Sequence, residues 1–88
     1  MQHYVRNDAG YMDWISRHPD GFVLNTYATP SRAYLKLHKA TCPSISRLQA
    51  GARSFTEGEY SKLCGNQAEL EEQGRRLGGL AQPCPLCT

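Results

Sequence analysis

Cys84-Pro85-Leu86-Cys87 is a C-x2-C pair, a spacing whose tight turn brings two thiolates within reach of one ion. His38-Lys39-Ala40-Thr41-Cys42 is an H-x3-C pair, which sets two further ligands across a turn. Zinc takes four N or S ligands in a tetrahedron, and two short-spaced pairs parted by a long insert are its usual sequence form. His38, Cys42, Cys84 and Cys87 therefore predict a structural Cys3His zinc site.

Cys64 is the rival fourth thiol, at the end of an apolar run with no close-spaced partner. A free cysteine there reads most simply as a small buried hydrophobe. Cys64 in place of His38 stays open on spacing alone. A thioredoxin-type use of Cys84 and Cys87 needs a helix after the motif to lower a thiol pKa. Only Thr88 follows Cys87 in this sequence, so that chemistry is not expected.

These ligands need elements to hold them. Tyr11, Trp14, Ile15 and His18 recur at i, i+3, i+4 and i+7, which predicts a helix from about Ala9 to His18 with Asp8 as N-cap. Pro19-Asp20-Gly21 stops it. Phe22–Tyr27 reads as a strand, 28–31 as a loop, and Ala33–His38 as a second, antiparallel strand. In that second strand Leu35 and Leu37 point one way, with Tyr34, Lys36 and His38 opposite. Lys39–Glu59 reads as mostly irregular, and Tyr60–Cys64 as a third strand. Asn66 is placed to cap a helix to about Leu77, buried through Leu70 and Leu77 and ended by Gly78-Gly79. The expected fold is α+β: one domain over 1–88, with about three antiparallel strands, two helices and a C-terminal zinc knuckle.

The 88 residues amount to 9.8 kDa, and 40% are hydrophobic. That suffices for one small core, and a metal staple suits a chain of this size. Mean hydropathy is −0.57, and no apolar run nears the ~18 residues of a membrane span. Residues 1–8 carry no apolar segment of signal-peptide type. A cytoplasmic, reducing location is therefore expected, where four cysteines serve as thiols or ligands rather than as disulfides.

Net charge is only +2, but its distribution is uneven. Arg32, Lys36, Lys39, Arg47, Arg53 and Lys62 face only Glu57 and Glu59 between Ser31 and Cys64, whereas Glu69, Glu71 and Glu72 crowd the following helix. A basic middle can meet phosphates. Lys36, Lys39, Arg47 and Arg53, in or beside the knuckle, are the candidate nucleic-acid contacts. Three thiolates and a dication lower the net charge by one, so no polycationic binder is expected.

The order strand, H-x3-C, irregular segment, strand, helix with Ala68-Glu69-Leu70-Glu71, glycine break and Pro83-Cys84-x-x-Cys87 resembles the zinc domain of the bacterial Ada DNA repair protein. The resemblance spans roughly Tyr34–Thr88, with a longer insert between the ligand pairs here. It implies a zinc-held α+β scaffold that presents basic residues to a DNA backbone. In that family the first ligand is a cysteine that accepts a methyl group from a DNA phosphotriester. Here His38 stands at that position, and an imidazole offers no thiolate to alkylate. The N-terminal stretch Tyr11–Thr26 is similar instead to actinobacterial and phage proteins and to modules beside restriction-type nucleases, a likeness that assigns no chemistry.

The sequence is compatible with three functions. The first is a zinc-stabilised nucleic-acid-binding module, for DNA before RNA, associated with a restriction, defence or mobile-element nuclease. The second is a protein-interaction or adaptor module presenting Trp14 and the 39–59 segment, although core packing is the simpler role for Trp14. The third, an enzyme, is not expected: no H-E-x-x-H, P-loop or serine elbow occurs, and four good ligands close a zinc site. Oligomeric state is not set by the sequence.

Overall fold

Asn7, rather than Asp8, begins the first helix. Its side chain accepts a hydrogen bond from Gly10 N, and α1 runs Asp8–Arg17, one residue ahead of expectation. Asp8 is turned elsewhere: its carboxylate accepts from Phe55 N (3.0 Å), Thr56 N (2.7 Å) and Thr56 Oγ1 (2.6 Å). The first turn of α1 thereby holds the segment that enters a later strand.

The computed structural model describes residues 1–48 and 52–87. Its sheet has five strands: β1 Gln2–Tyr4, β2 Phe22–Tyr27, β3 Lys36–Lys39, β4 Tyr60–Gly65 and β5 Gln82–Pro83, in the order β1-β4-β2-β3-β5. β2 pairs antiparallel with both β3 and β4, and β1 antiparallel with β4, while β5 runs parallel to β3. The α+β class holds, but the three antiparallel strands expected are corrected to five in a mixed sheet. The second strand is also shorter at its start than expected, because Tyr34 N bonds back to Ser31 O in a turn.

Period-two alternation gives the sheet two different faces. Leu24, Leu37 and Leu63 lie in one cross-strand row and pack with Leu35 and Leu70, the latter from α3 Gln67–Arg76. Asn66 caps α3 as expected, in a full capping box with Glu69, and Leu77 packs against this layer. On the opposite face Val23 and Cys64 meet Tyr11 and Ile15 of α1, together with Ala40, Cys42, Ile45 and Cys84. Each face thus carries one of the two long helices. Within the stretch expected to be irregular, Pro43–Ser46 forms the short helix α2. Among the described residues, no helix is long and apolar enough to cross a membrane.

Candidate metal centre

β3 and the chain end beside it build the site. His38 pairs with Val23 across β2 and β3, on the α1 face, and is 4% exposed. The chain then turns: Cys42 N donates to Lys39 O, and Cys42 becomes the N-cap of α2, with Pro43 at the first helical position. The other pair arrives through β5. Gln82 N donates to Leu35 O and Cys84 N to Leu37 O (2.8 Å), so the parallel pairing delivers Cys84 alongside His38.

The ligand atoms of His38, Cys42, Cys84 and Cys87 all lie within 4.8 Å of one another. Cys42 Sγ and Cys84 Sγ are 4.0 Å apart. Metal–sulfur bonds of about 2.3 Å in a tetrahedron require a sulfur–sulfur edge of about 3.8 Å. Lys39 N points at Cys87 Sγ at 3.4 Å, a donor suited to a thiolate. Cys87 N closes the knuckle turn onto Cys84 O.

His38 carries the strongest sign of a ligand. Both ring nitrogens are buried without a hydrogen-bond partner among the described residues. An imidazole orphaned at both nitrogens is costly in a core unless something coordinates it. Burial lowers its pKa to about 4, helped by Lys62 and Lys36, so the ring is neutral and one lone pair is available. Burial alone would raise the Cys84 thiol. Hydrogen bonds from Leu86 N and from Cys87, Cys42 and Ser44 outweigh it and bring Cys84 below its ordinary value. Burial and the neighbouring thiols raise Cys87. The residues therefore form a neutral-nitrogen, three-sulfur donor set with the spacing of a metal-binding group.

Cys64 does not join it. It is fully buried on β4 opposite Val23, and burial pushes its pKa up to about 12 against the pull of Lys62. It belongs with Tyr11, Ile15 and Val23 in the core.

The four basic candidates are distributed rather than gathered. Lys36 is half-buried on the His38 face of β3, opposite Asn25. Arg47, exposed just after α2, lines a cleft of about 240 Å³ with Asn25, Tyr60 and Lys62. Lys39 lies by a separate cleft with Asp20 and Thr41, and Arg53 is exposed on the loop before β4. Lys62 is buried, donates to Phe55 O at 2.7 Å, and has its pKa lowered to about 8 by burial.

Sequence reasoning missed a group of three rings. Tyr27 and Tyr60 form a cross-strand pair with centroids 5.7 Å apart and planes at 17°, and Tyr34 lies 5.8 and 5.6 Å from them. Alternation within β2 and β4 was the available signal: Val23, Asn25 and Tyr27 share one face, as do Cys64, Lys62 and Tyr60. No family model, curated protein or solved structure matches the chain.

Proposed function

We propose that the protein is a zinc-stabilised nucleic-acid-binding module. Zinc suits a neutral imidazole with three thiolates, whereas harder oxygen-seeking ions do not. Four protein ligands fill a tetrahedron and leave no open position for a substrate, so the ion serves the fold. It would tie β3 and α2 to the chain end beside β5, and His38, Cys42, Cys84 and Cys87 would hold it.

The observation carrying the nucleic-acid reading is that Lys36 and Arg47 both border Asn25, one across the β2–β3 pair and one across the cleft. Cations at such a rim contact phosphates. Affinity for a duplex should fall linearly with salt on logarithmic axes, by about −0.9 per phosphate contact. Two to four contacts from Lys36, Arg47, Lys39 and Arg53 give a shallow slope, between about −2 and −4. Anisotropy titrations over a salt series test this. A folded, metal-loaded protein that binds neither DNA nor RNA at about 50 mM salt would end the reading.

The adaptor reading draws on another cleft, of about 430 Å³, lined by Trp14, His18, Gly65 and Glu69 among others. Trp14 is half-buried there and stacks on His18 at 4.3 Å. A partner held by that apolar surface would respond little to salt, unlike phosphate binding.

A further inference from the structure

The tyrosine trio sits at the end of the sheet face away from the His38–Val23–Cys64 row. Its rings touch one another, yet Tyr27 and Tyr60 remain 39% and 40% exposed. Cross-strand aromatic pairs stabilise sheets, and that alone would explain two rings in contact. It does not explain the polar group beside them. Asn25 lies one step along the same face, between Lys36 and Lys62 in register, and its Nδ2 reaches Tyr34 Oη at 3.5 Å. Its Oδ1 is buried and has no hydrogen-bond partner among the described residues. That atom is closed to a ligand, but Asn25 as a residue lines the cleft shared with Tyr60 and Arg47.

Exposed aromatic rings and flanking cations are complementary to one chemistry: unpaired nucleobases on a phosphate backbone. Every base has a π-face that stacks on a tyrosine ring. A duplex hides its base faces and cannot use the rings. Resting on the nucleic-acid reading above, we propose that this end of the sheet binds single-stranded nucleic acid. Unpaired bases stack on Tyr27, Tyr34 and Tyr60, and phosphates meet Lys36 and Arg47.

The test uses the full metal-loaded chain and anisotropy of labelled strands of ~12 nucleotides, near the span of one small binding surface. Four probes are compared at about 50 mM salt: oligo(dT), oligo(rU), a hairpin duplex, and an abasic sugar-phosphate strand of equal charge. The expected result is tenfold or tighter binding of oligo(dT), oligo(rU) or both over duplex and abasic strands. Preference between the two, repeated with oligo(dU) to remove the thymine methyl, names the sugar. Tyr27→Leu with Tyr60→Leu should weaken single-strand binding tenfold or more while metal content stays unchanged. Tyr27→Phe with Tyr60→Phe should restore the wild-type value, since stacking needs the ring and not the hydroxyl. Equal or tighter binding of the duplex or the abasic strand by the wild type overturns the inference without any variant, and leaves the phosphate-binding reading standing. So does a folded leucine variant with undiminished single-strand affinity. Absence of binding to all four probes overturns both.

Discussion

Cys84 Sγ lies 4.0 Å from Cys42 Sγ, although 42 positions of sequence separate the two residues. What closes that distance is backbone pairing: Cys84 N bonds to Leu37 O, one residue before His38. The strand and the ligands therefore depend on each other. Two residues of parallel pairing are little to hold this segment, and an ion would add bonds that weak S–H contacts between the sulfurs do not supply.

Metal removal should accordingly unfold the protein rather than merely loosen the C-x2-C segment. Structural zinc contributes on the order of 10 kcal/mol in small domains, comparable to the whole stability of one. Native mass spectrometry should find one zinc per chain, and His38→Ala or Cys84→Ser should lose it. A chelated chain that keeps the melting curve of the untreated protein would contradict the assignment.

Cys64 gives the control. Its thiol is in the apolar core and outside the ligand group, so Cys64→Ser should retain a full complement of metal. The buried hydroxyl should cost ~1–3 kcal/mol, read from denaturant midpoints at unchanged slope. Metal loss in Cys64→Ser, with retention in His38→Ala, would show that the wrong fourth ligand has been named.

Asp8 should govern part of the acid limb of stability. Burial alone would raise its pKa, but the Thr56 hydroxyl and the Phe55 and Thr56 backbone N–H groups outweigh it, so the folded-state value lies below the ordinary 3.8. A carboxylate depressed in the folded state contributes fully above its unfolded pKa, and the contribution fades as pH falls through the lower folded value. Asp8→Asn should thus cost about 2 kcal/mol at pH 7, the scale of hydrogen bonds to a charged group. The difference from wild type should shrink below pH 4. A pH-independent gap in urea melts would mean that the carboxylate's charge is irrelevant.

Much of this arrangement was legible. The ligands of each pair are close in sequence, so spacing alone could nominate them, and β2, with its apolar run between loop signals, was placed at its true ends. Asn66 was placed as the cap of α3 at its true position, and the structure adds the capping box with Glu69. β1 and β5 were not legible because they are edge strands of three and two residues whose own composition carries no alternation. They exist because β4 and β3 offer free backbone to pair with. Nor does the sequence state that β4 lies beside β2, and without that neighbour relation Tyr27 and Tyr60 are two unconnected tyrosines. Asp8 misled for a similar reason. Asparagine and aspartate are about equally good caps, and only the distant Phe55 and Thr56 donors draw Asp8 away from that role.

Gly74 offers the last test of how helix and metal centre are joined. It lies buried in α3, where the chain returning toward β5 crosses the helix. A methyl there would sit 3.1 Å from Ala81 N and 3.6 Å from Ala81 Cβ. On intrinsic propensity Gly74→Ala should stabilise α3 by roughly 1 kcal/mol. Here the opposing contact is backbone, and that backbone is one residue from β5 and three from Cys84. It cannot yield without moving the Gln82–Leu35 and Cys84–Leu37 hydrogen bonds that present the C-x2-C pair. Overpacking of this kind costs ~1–3 kcal/mol, which exceeds the helical gain. Gly74→Ala should therefore melt lower than wild type and release zinc more readily to a competing chelator. An exposed-site control, Gln67→Ala in the same helix, should do neither. If Gly74→Ala instead melts higher with unchanged zinc affinity, the 80–84 segment yields freely and α3 does not position the knuckle.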